Sequence, residues 1–453
     1  MVEARVVFLG SRIRAPASVL LVLGALVLLA KLYSPDAIER MRYEGMTLYA
    51  PTERPQPPSL FVKYTESEKY LSRQSVQWWK DQAREERFLS IPARRQGSSW
   101  GPYMQELILN TYAASRSDRI LVLDNYRLHE EAQGWIDYAH HEHEPYPMPI
   151  VQLPVSSIVR VFAPADGHSQ MTWTITRDVW HDLCPDAHPR LAGENTQAQA
   201  SLRPLDSAEA LAVLDDRSGD ALLNIWPDLS TSTVLSHFAW SPLIELAFDM
   251  NRELISPVAE LEPYLSTQPF TNSADRYRHI PGLLALHIPR GIHQDYCRSL
   301  VTDSQKFGGF NALPFLPDTF NTSALAGMHD AERTLLYHRR CMPIIQEIVR
   351  RVDHIRKSPI GRDLRSVYVA TNGQSPWLLE LKTALRRMGG WTSVSSTRDL
   401  VLNREQRYVK DAVDMLVAQR AQVFVGNGFS TESGQVVMLR TANGFPVNST
   451  RHW

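Results

Sequence analysis

Apolar positions along this chain follow three patterns, and the first is an unbroken run. Ala17 to Ala30 reads ASVLLVLGALVLLA without a charge, with Ile13 and Pro16 before it and Leu32 and Tyr33 after it. A sixteen-residue helix here would span ~24 Å at 1.5 Å per residue, short for a ~30 Å hydrocarbon core but tolerable in the thinner endoplasmic reticulum. Arg5, Arg12 and Arg14 precede the run, while Asp36 and Glu39 follow soon after Lys31. The positive-inside rule then keeps 1–14 cytosolic, makes 15–33 a signal-anchor and places the rest in the lumen. The rival is a cleaved signal peptide, but no small-x-small cleavage site is obvious after Ala30. A buried core helix is the third reading. Residues 34–65 read as a stem, because Pro35, Pro51, Pro55, Pro57 and Pro58 favour extended backbone.

The other two patterns alternate. Met104, Leu107, Ile108 and Tyr112 recur at helical spacing within Gly101 to Ser115, and a short apolar run follows from Ile120 to Leu123. After a Pro- and Ser-rich middle, strands are expected at Gly282 to Ile288, Ser366 to Thr371, Thr392 to Ser395 and Gln422 to Gly426. Helical patterns fill Ala331 to Val352, Trp377 to Arg387, Glu405 to Arg420 and Gly434 to Thr441. Strand–helix alternation implies an α/β fold with a parallel sheet covered on its faces. Ligands on such sheets sit beyond the carboxyl ends of the strands. The loops after Ile288, Thr371 and Gly426 are therefore the places to look.

Composition narrows the function classes. The 453 residues hold 48 Lys plus Arg against 49 Asp plus Glu, a formal charge of −1. A general nucleic-acid binder would carry a basic excess. The 29 prolines against 22 glycines point to long stiff connections rather than tight hairpins. Three cysteines are too few for a disulfide scaffold. In the lumen Cys297 and Cys341 could bridge, closing a loop of about 45 residues worth ~4 kcal/mol on the chain-entropy model, with Cys184 then free. Sequence alone does not fix that pairing. Lumenal placement also gives Asn321-Thr322-Ser323 and Asn448-Ser449-Thr450 meaning as glycosylation acceptors.

Candidate chemistry gathers at the three loops. Asn427 to Gly434 combines glycine, hydroxyl groups and a helix start, suited to phosphate oxygens; the plainer reading makes Ser430 or Thr431 an ordinary N-cap. Asp414 lies among Val413, Met415 and Leu416, where it either faces water or accepts hydrogen bonds from a base edge. His287-Ile288-Pro289-Arg290-Gly291 ends a strand with an arginine whose fork of donors suits a pyrophosphate; otherwise Arg290 is a surface side chain. His140-His141-Glu142-His143-Glu144 lacks the i, i+4 spacing of a helical zinc pair. No Walker loop, nucleophile elbow, GxGxxG or DxD-type motif is present. No metal is expected.

Together these segments resemble the GDP-fucose protein O-fucosyltransferase family, especially its fungal branch. Four stretches carry the resemblance in order: Gln96 to Asn125, Gly282 to Cys297 (GLLALHIPRGIHQDYC), Ser366 to Leu400, and Asp414 to Arg440 with its acid-to-serine spacing. The resemblance covers about residues 90–445. It implies a GT-B fold of two Rossmann-like domains facing a cleft, here 66–275 and 276–453, with the nucleotide sugar in the second. It also implies inverting, metal-independent transfer of fucose from GDP-fucose to a protein Ser or Thr hydroxyl, with no other cofactor. By position, Gly101, Pro102, Tyr103 and Gln105 would line the donor cleft, His287 and Asp414 would face the guanosine, and Ser430 and Thr431 would hold phosphate oxygens. Arg290 would stabilise the departing GDP. The motif arginine expected two residues after His287 is Pro289, Arg290 being the second of the usual pair, and the acid expected after the glycine is Ile292. The alternatives are a catalytically silent lumenal GDP-sugar or protein-binding relative, or transfer of another sugar from a GDP donor. The expected setting is a single-pass type II protein of the endoplasmic reticulum or Golgi membrane, with no nucleic-acid partner.

Overall fold

The computed structural model describes residues 59–81, 88–90, 100–127, 152–160, 174–183, 220–269, 271–291, 293–320, 322–325 and 327–453. The signal-anchor run, the stem up to residue 58, the 140–144 histidine cluster, Cys184, Ile292 and the acceptor Asn321 lie outside these. Among the described residues no helix is long and apolar enough to cross a membrane. The end of the expected stem is not extended. Helix α1 begins at Val62 and runs to Asp81, while Phe61 ahead of it is 1% exposed and packs edge-on against Tyr408. The last residues assigned to the stem thus belong to the compact unit Leu60–Trp453.

The first α/β stretch is small. Strand β1 (Phe88–Ser90), helix α2 (Trp100–Arg116) and strand β2 (Ile120–Leu123) are joined by β5 (Thr174–Thr176) into a parallel sheet of order β1-β2-β5. A two-residue antiparallel ribbon, β3 (Tyr126–Arg127) with β4 (Gln152–Leu153), lies beside it in sequence. All four residues of β2 are buried, as expected of a parallel strand covered on both faces. The proline- and serine-rich middle turns out helical in its second part. Helix α3 (Pro242–Met250) starts where Ser241 Oγ accepts the Ile244 N–H at 3.3 Å and Pro242 occupies the first turn, where its missing N–H costs nothing.

The second stretch builds a five-stranded, all-parallel sheet. Its elements are β6 (Ile280–His287), α4 (His293–Thr302), α5 (Asp330–Cys341), α6 (Ile345–Lys357), β7 (Ser366–Ala370), α7 (Ser375–Arg387), β8 (Ser393–Ser396), α8 (Lys410–Arg420), β9 (Ala421–Gly426), α9 (Thr431–Ala442) and β10 (Thr450–His452). The order β10-β9-β6-β7-β8 means the chain winds outward from β6 to β8, then crosses back and winds the other way through β9 and β10. Right-handed crossovers therefore put α6 and α7 on one face of the sheet and α8 and α9 on the other. The cores agree. Leu284, Leu286, Val367 and Val369 pack with Ile348, Val352, Leu381 and Leu385 from α6 and α7. On the opposite face, Ala285 and Phe424 join Val413, Val417, Val437 and Met438 in the largest cluster, which also takes in Met104, Leu121 and Trp240 from the first half.

Two expectations change. The single helical pattern over Ala331 to Val352 is two helices, because Pro343 has no N–H to donate and clashes with the preceding turn, so α5 stops at Cys341. The pattern over Glu405 to Arg420 opens with a tighter turn at Gln406–Val409 before becoming α8. Cys297 on α4 and Cys341 at the end of α5 are disulfide-bonded, their Cα atoms 5.9 Å apart.

Candidate functional site

The order of strands locates a crevice. β6 and β9 are neighbours whose following connections leave in opposite directions, and at such a switch point the carboxyl ends of two strands open onto a gap. His287 ends β6, and Asn427 to Ser430 follow β9. The sequence motifs meet there by topology.

The start of α9 organises one half of the site. Ser430 occupies the N-cap position, yet its side chain makes no capping hydrogen bond, so the ordinary capping role is not what the hydroxyl does. The Gly434 N–H is the first to bond back, to Ser430 O at 3.1 Å, and the amides ahead of it lack intrahelical acceptors, as at any helix start. Thr431 is exposed. His287 reaches this turn with both ring nitrogens: Nδ1 lies 2.7 Å from Ser433 Oγ, and Nε2 lies 3.1 Å from Glu432 Oε2. Ser433 Oγ also accepts the Asn427 N–H at 2.8 Å. With the Ser433 hydroxyl donating to Nδ1, the hydrogen on Nε2 faces the Glu432 carboxylate. The loop itself is held from below, Asn311 Nδ2 donating to Ser430 O at 2.9 Å and Asn427 Nδ2 to Cys341 O at 2.8 Å.

The start of α2 presses against the same turn. A Cβ on Gly101 would collide with Thr431 Oγ1 and stand 2.5 Å from the Glu432 amide nitrogen, so only glycine lets these two helix ends touch. One turn further in, Gln435 Nε2 donates to Gln105 Oε1 at 3.2 Å. Pro102 is half-buried in the first turn of α2. Tyr103 lies tilted against Tyr126, ring centroids 4.5 Å apart; its hydroxyl is buried without a partner among the described residues, and burial raises its pKa well above the usual phenol value.

Arg290 lies beyond the end of β6 and is 9% exposed. Its amide donates to Asn372 Oδ1 at 2.6 Å, fixing the loop after β6 to the loop after β7. Its guanidinium lies 4.3 Å over the Trp377 ring, and Nη2 donates to the Pro343 carbonyl left free by the break between α5 and α6. Among the described residues no carboxylate pairs with it, and Nη1 is buried with no partner. Burial lowers its pKa to about 10, so the group stays cationic at neutral pH. No hydrogen bond among the described residues joins it to His287 or to the 427–430 loop. A buried cation of this kind is unfavourable until an anion completes it.

Asp414 is not on a solvated face. Every residue of α8 from Ala412 to Arg420 is buried, and the Asp414 carboxylate accepts hydrogen bonds from Tyr368 on β7 and, at 2.6 Å, from Thr397 Oγ1 after β8. Burial raises its pKa to about 7, with those two bonds working in the opposite direction. The exposed Asn448 sits in a turn before β10, at the surface.

The structure thus gathers Gly101, Gln105, His287, Ser430 and Thr431 around one helix start, sets Arg290 over the neighbouring strand end, and sinks Asp414 beneath the sheet. The sequence reading passed over Glu432, Ser433, Tyr368 and Thr397. Ser433 and Glu432 lie within the hydroxyl-rich loop and helix start, a signal that was available; Tyr368 and Thr397 required the strand order. It also passed over Arg398, half-buried after β8, whose Nε donates to Gly373 O at 3.0 Å. Among the described residues no group of His, Cys, Asp and Glu is arranged to hold a metal ion.

No family model matches the sequence, and no curated protein matches it. Among solved structures the chain is similar to POFUT1 in complex with GDP, at 13% identity and a TM-score of 0.46, over 81% of this chain and 97% of that one. It is likewise similar to POFUT1 in complex with GDP-fucose, at 13% identity and a TM-score of 0.45, over 81% and 97%. The apo form of POFUT1 aligns at 14% identity and a TM-score of 0.44, over the same shares.

Proposed function

We propose that this protein is a glycosyltransferase of the secretory pathway that binds a GDP-sugar in the crevice beyond β6 and β9 and transfers fucose, with inversion, to a protein Ser or Thr hydroxyl. The observation that carries the reading is Arg290: a buried guanidinium with a carbonyl and an aromatic face for company and, among the described residues, no carboxylate and one donor unspent. A diphosphate supplies the missing charge and acceptor. On this reading 66–275 and 276–453 are the two lobes of a GT-B fold, and 15–33 anchors them facing the lumen.

The chemistry asks for stabilised negative charge on the leaving group. The acceptor hydroxyl oxygen bonds to the anomeric carbon as the bond from that carbon to the β-phosphate oxygen breaks, GDP departs with the electron pair, and the hydroxyl proton is released to water. Arg290 and the amides at the start of α9 face the phosphate oxygens and favour that charge, in a site where fixed donors need no reorganisation. Pro289 removes a backbone donor at the strand end, which leaves Arg290 as the cation of this loop. His287, braced by Ser433 and Glu432, forms the wall of the guanosine pocket.

The test is donor turnover and transfer by the full chain, with GDP-fucose and other GDP-sugars offered in parallel. Turnover of GDP-fucose that is lost in Arg290→Ala supports the reading, whereas unchanged turnover in that variant removes Arg290 from the mechanism. The silent-relative reading draws on Pro289 standing at the motif arginine's position, and GDP binding without hydrolysis or transfer would favour it.

A further inference from the structure

The face of the sheet covered by α6 and α7 carries a charge imbalance that the chain as a whole hides. From Ile345 to Arg387, through α6, β7 and α7, there are nine Lys and Arg against four Asp and Glu, in a protein whose net charge is −1. Some of these cations are accounted for: Lys357 pairs with Asp353, Arg351 with Asp318 and Lys382 with Asp399. Cations in the last turns of α6 and α7 also complement the helix dipole. That does not explain Arg350, which sits in mid-helix, or Arg362 and Arg365, which lie in the connection into β7. These three, with Arg386 and Arg387, are exposed and make no ion pair among the described residues.

Between the two helices runs an open groove of about 660 Å³. Arg350 of α6 and Arg387 of α7 stand on it, its floor includes Val349, Leu379 and Ala384, and Glu380 is the carboxylate that lines it. Leu379 is 64% exposed, an apolar side chain turned to water on a helix whose inner face is already satisfied by the sheet.

We propose that this groove docks an acidic, amphipathic peptide segment of a partner protein. Arginine forks on the rim match carboxylates in paired hydrogen bonds, and the apolar floor takes a hydrophobic side chain at helical spacing. The floor decides between partners, because an anionic polysaccharide would use the arginines and leave Leu379 idle. In the sheet, α6 and α7 end at the edge where β7 and β8 begin, so the arginines at 362, 365, 386 and 387 lie opposite the crevice at the strands' carboxyl ends. The groove lies between α6 and α7, on the side of these helices turned away from the sheet, so the inference does not rest on a GDP-sugar in the crevice.

The experiment is fluorescence anisotropy on the full chain in detergent, with three probes: a labelled 20-residue Glu/Leu amphipathic helix, the same peptide with Ser for Leu, and a labelled heparin oligosaccharide. The Glu/Leu peptide should bind in the micromolar range. The double variant Arg350→Glu, Arg387→Glu and the single variant Leu379→Ser should each weaken it at least tenfold, with unfolding midpoints unchanged. The Glu/Ser peptide should bind no better than the Leu379→Ser variant binds the parent peptide. Absence of Glu/Leu binding, or heparin binding as tight that ignores Leu379→Ser, overturns the proposal.

Discussion

Gly101 shows how much a single side chain can decide. Its Cα lies where two helix starts meet, and an added methyl would strike backbone as well as the Thr431 hydroxyl. Gly101→Ala should destabilise the protein by about 1–3 kcal/mol through overpacking, read as a lowered urea midpoint, and should weaken any ligand held at the start of α9. Asp414 gives a prediction in pH. Its pKa is about 7 in the folded protein, against an ordinary carboxylate value of about 4 in the unfolded chain. A raised folded value means its contribution to stability is full below about pH 4 and lost as pH rises through about 7. Stability measured across that window should fall with pH, and Asp414→Asn should flatten the slope. At this scale the sequence was half legible. His287, Ser430 and Arg290 could be picked out by residue type at strand and helix ends. The burial of Asp414 could not, because α8 is buried on its outer sides only by packing with α9 and with α3, the latter distant in sequence.

The elements themselves were largely readable, since a parallel strand buried on both faces is a short apolar run and a covering helix repeats at 3.6. GLLALH needed no partner to be recognised as β6. The joins were harder. Pro343 splits one helical pattern into α5 and α6, and the helix propensity of the flanking residues conceals the break until the proline is given its steric weight. That break matters, because the freed Pro343 carbonyl is what Nη2 of Arg290 grips. The disulfide from Cys297 to Cys341 staples the same corner, closing a stretch with a sequence separation of 44. Cys297→Ser with Cys341→Ser should cost up to ~4 kcal/mol and lower the thermal midpoint. An unchanged midpoint would mean that the corner is held by its packing alone.

For the whole molecule, the main core joins residues from both α/β stretches: Met104 and Leu121 from the first share a cluster with Phe424 and Met438 from the second. A chain truncated to begin at Leu60 should therefore unfold in one cooperative transition, with calorimetric and van't Hoff enthalpies equal; two resolved transitions would separate the lobes energetically. The switch point between β6 and β9 is a property of this scale as well, legible only once the strand order is known. The central claim, that a buried guanidinium with no carboxylate partner among the described residues awaits a diphosphate beside that crevice, meets its most direct test in titration calorimetry of GDP against the full chain and its Arg290→Ala variant. GDP should bind the parent chain and bind the variant about tenfold more weakly, a difference of about 1.4 kcal/mol, with the fold intact. Equal affinity in the two proteins, or no binding to either, would contradict the account.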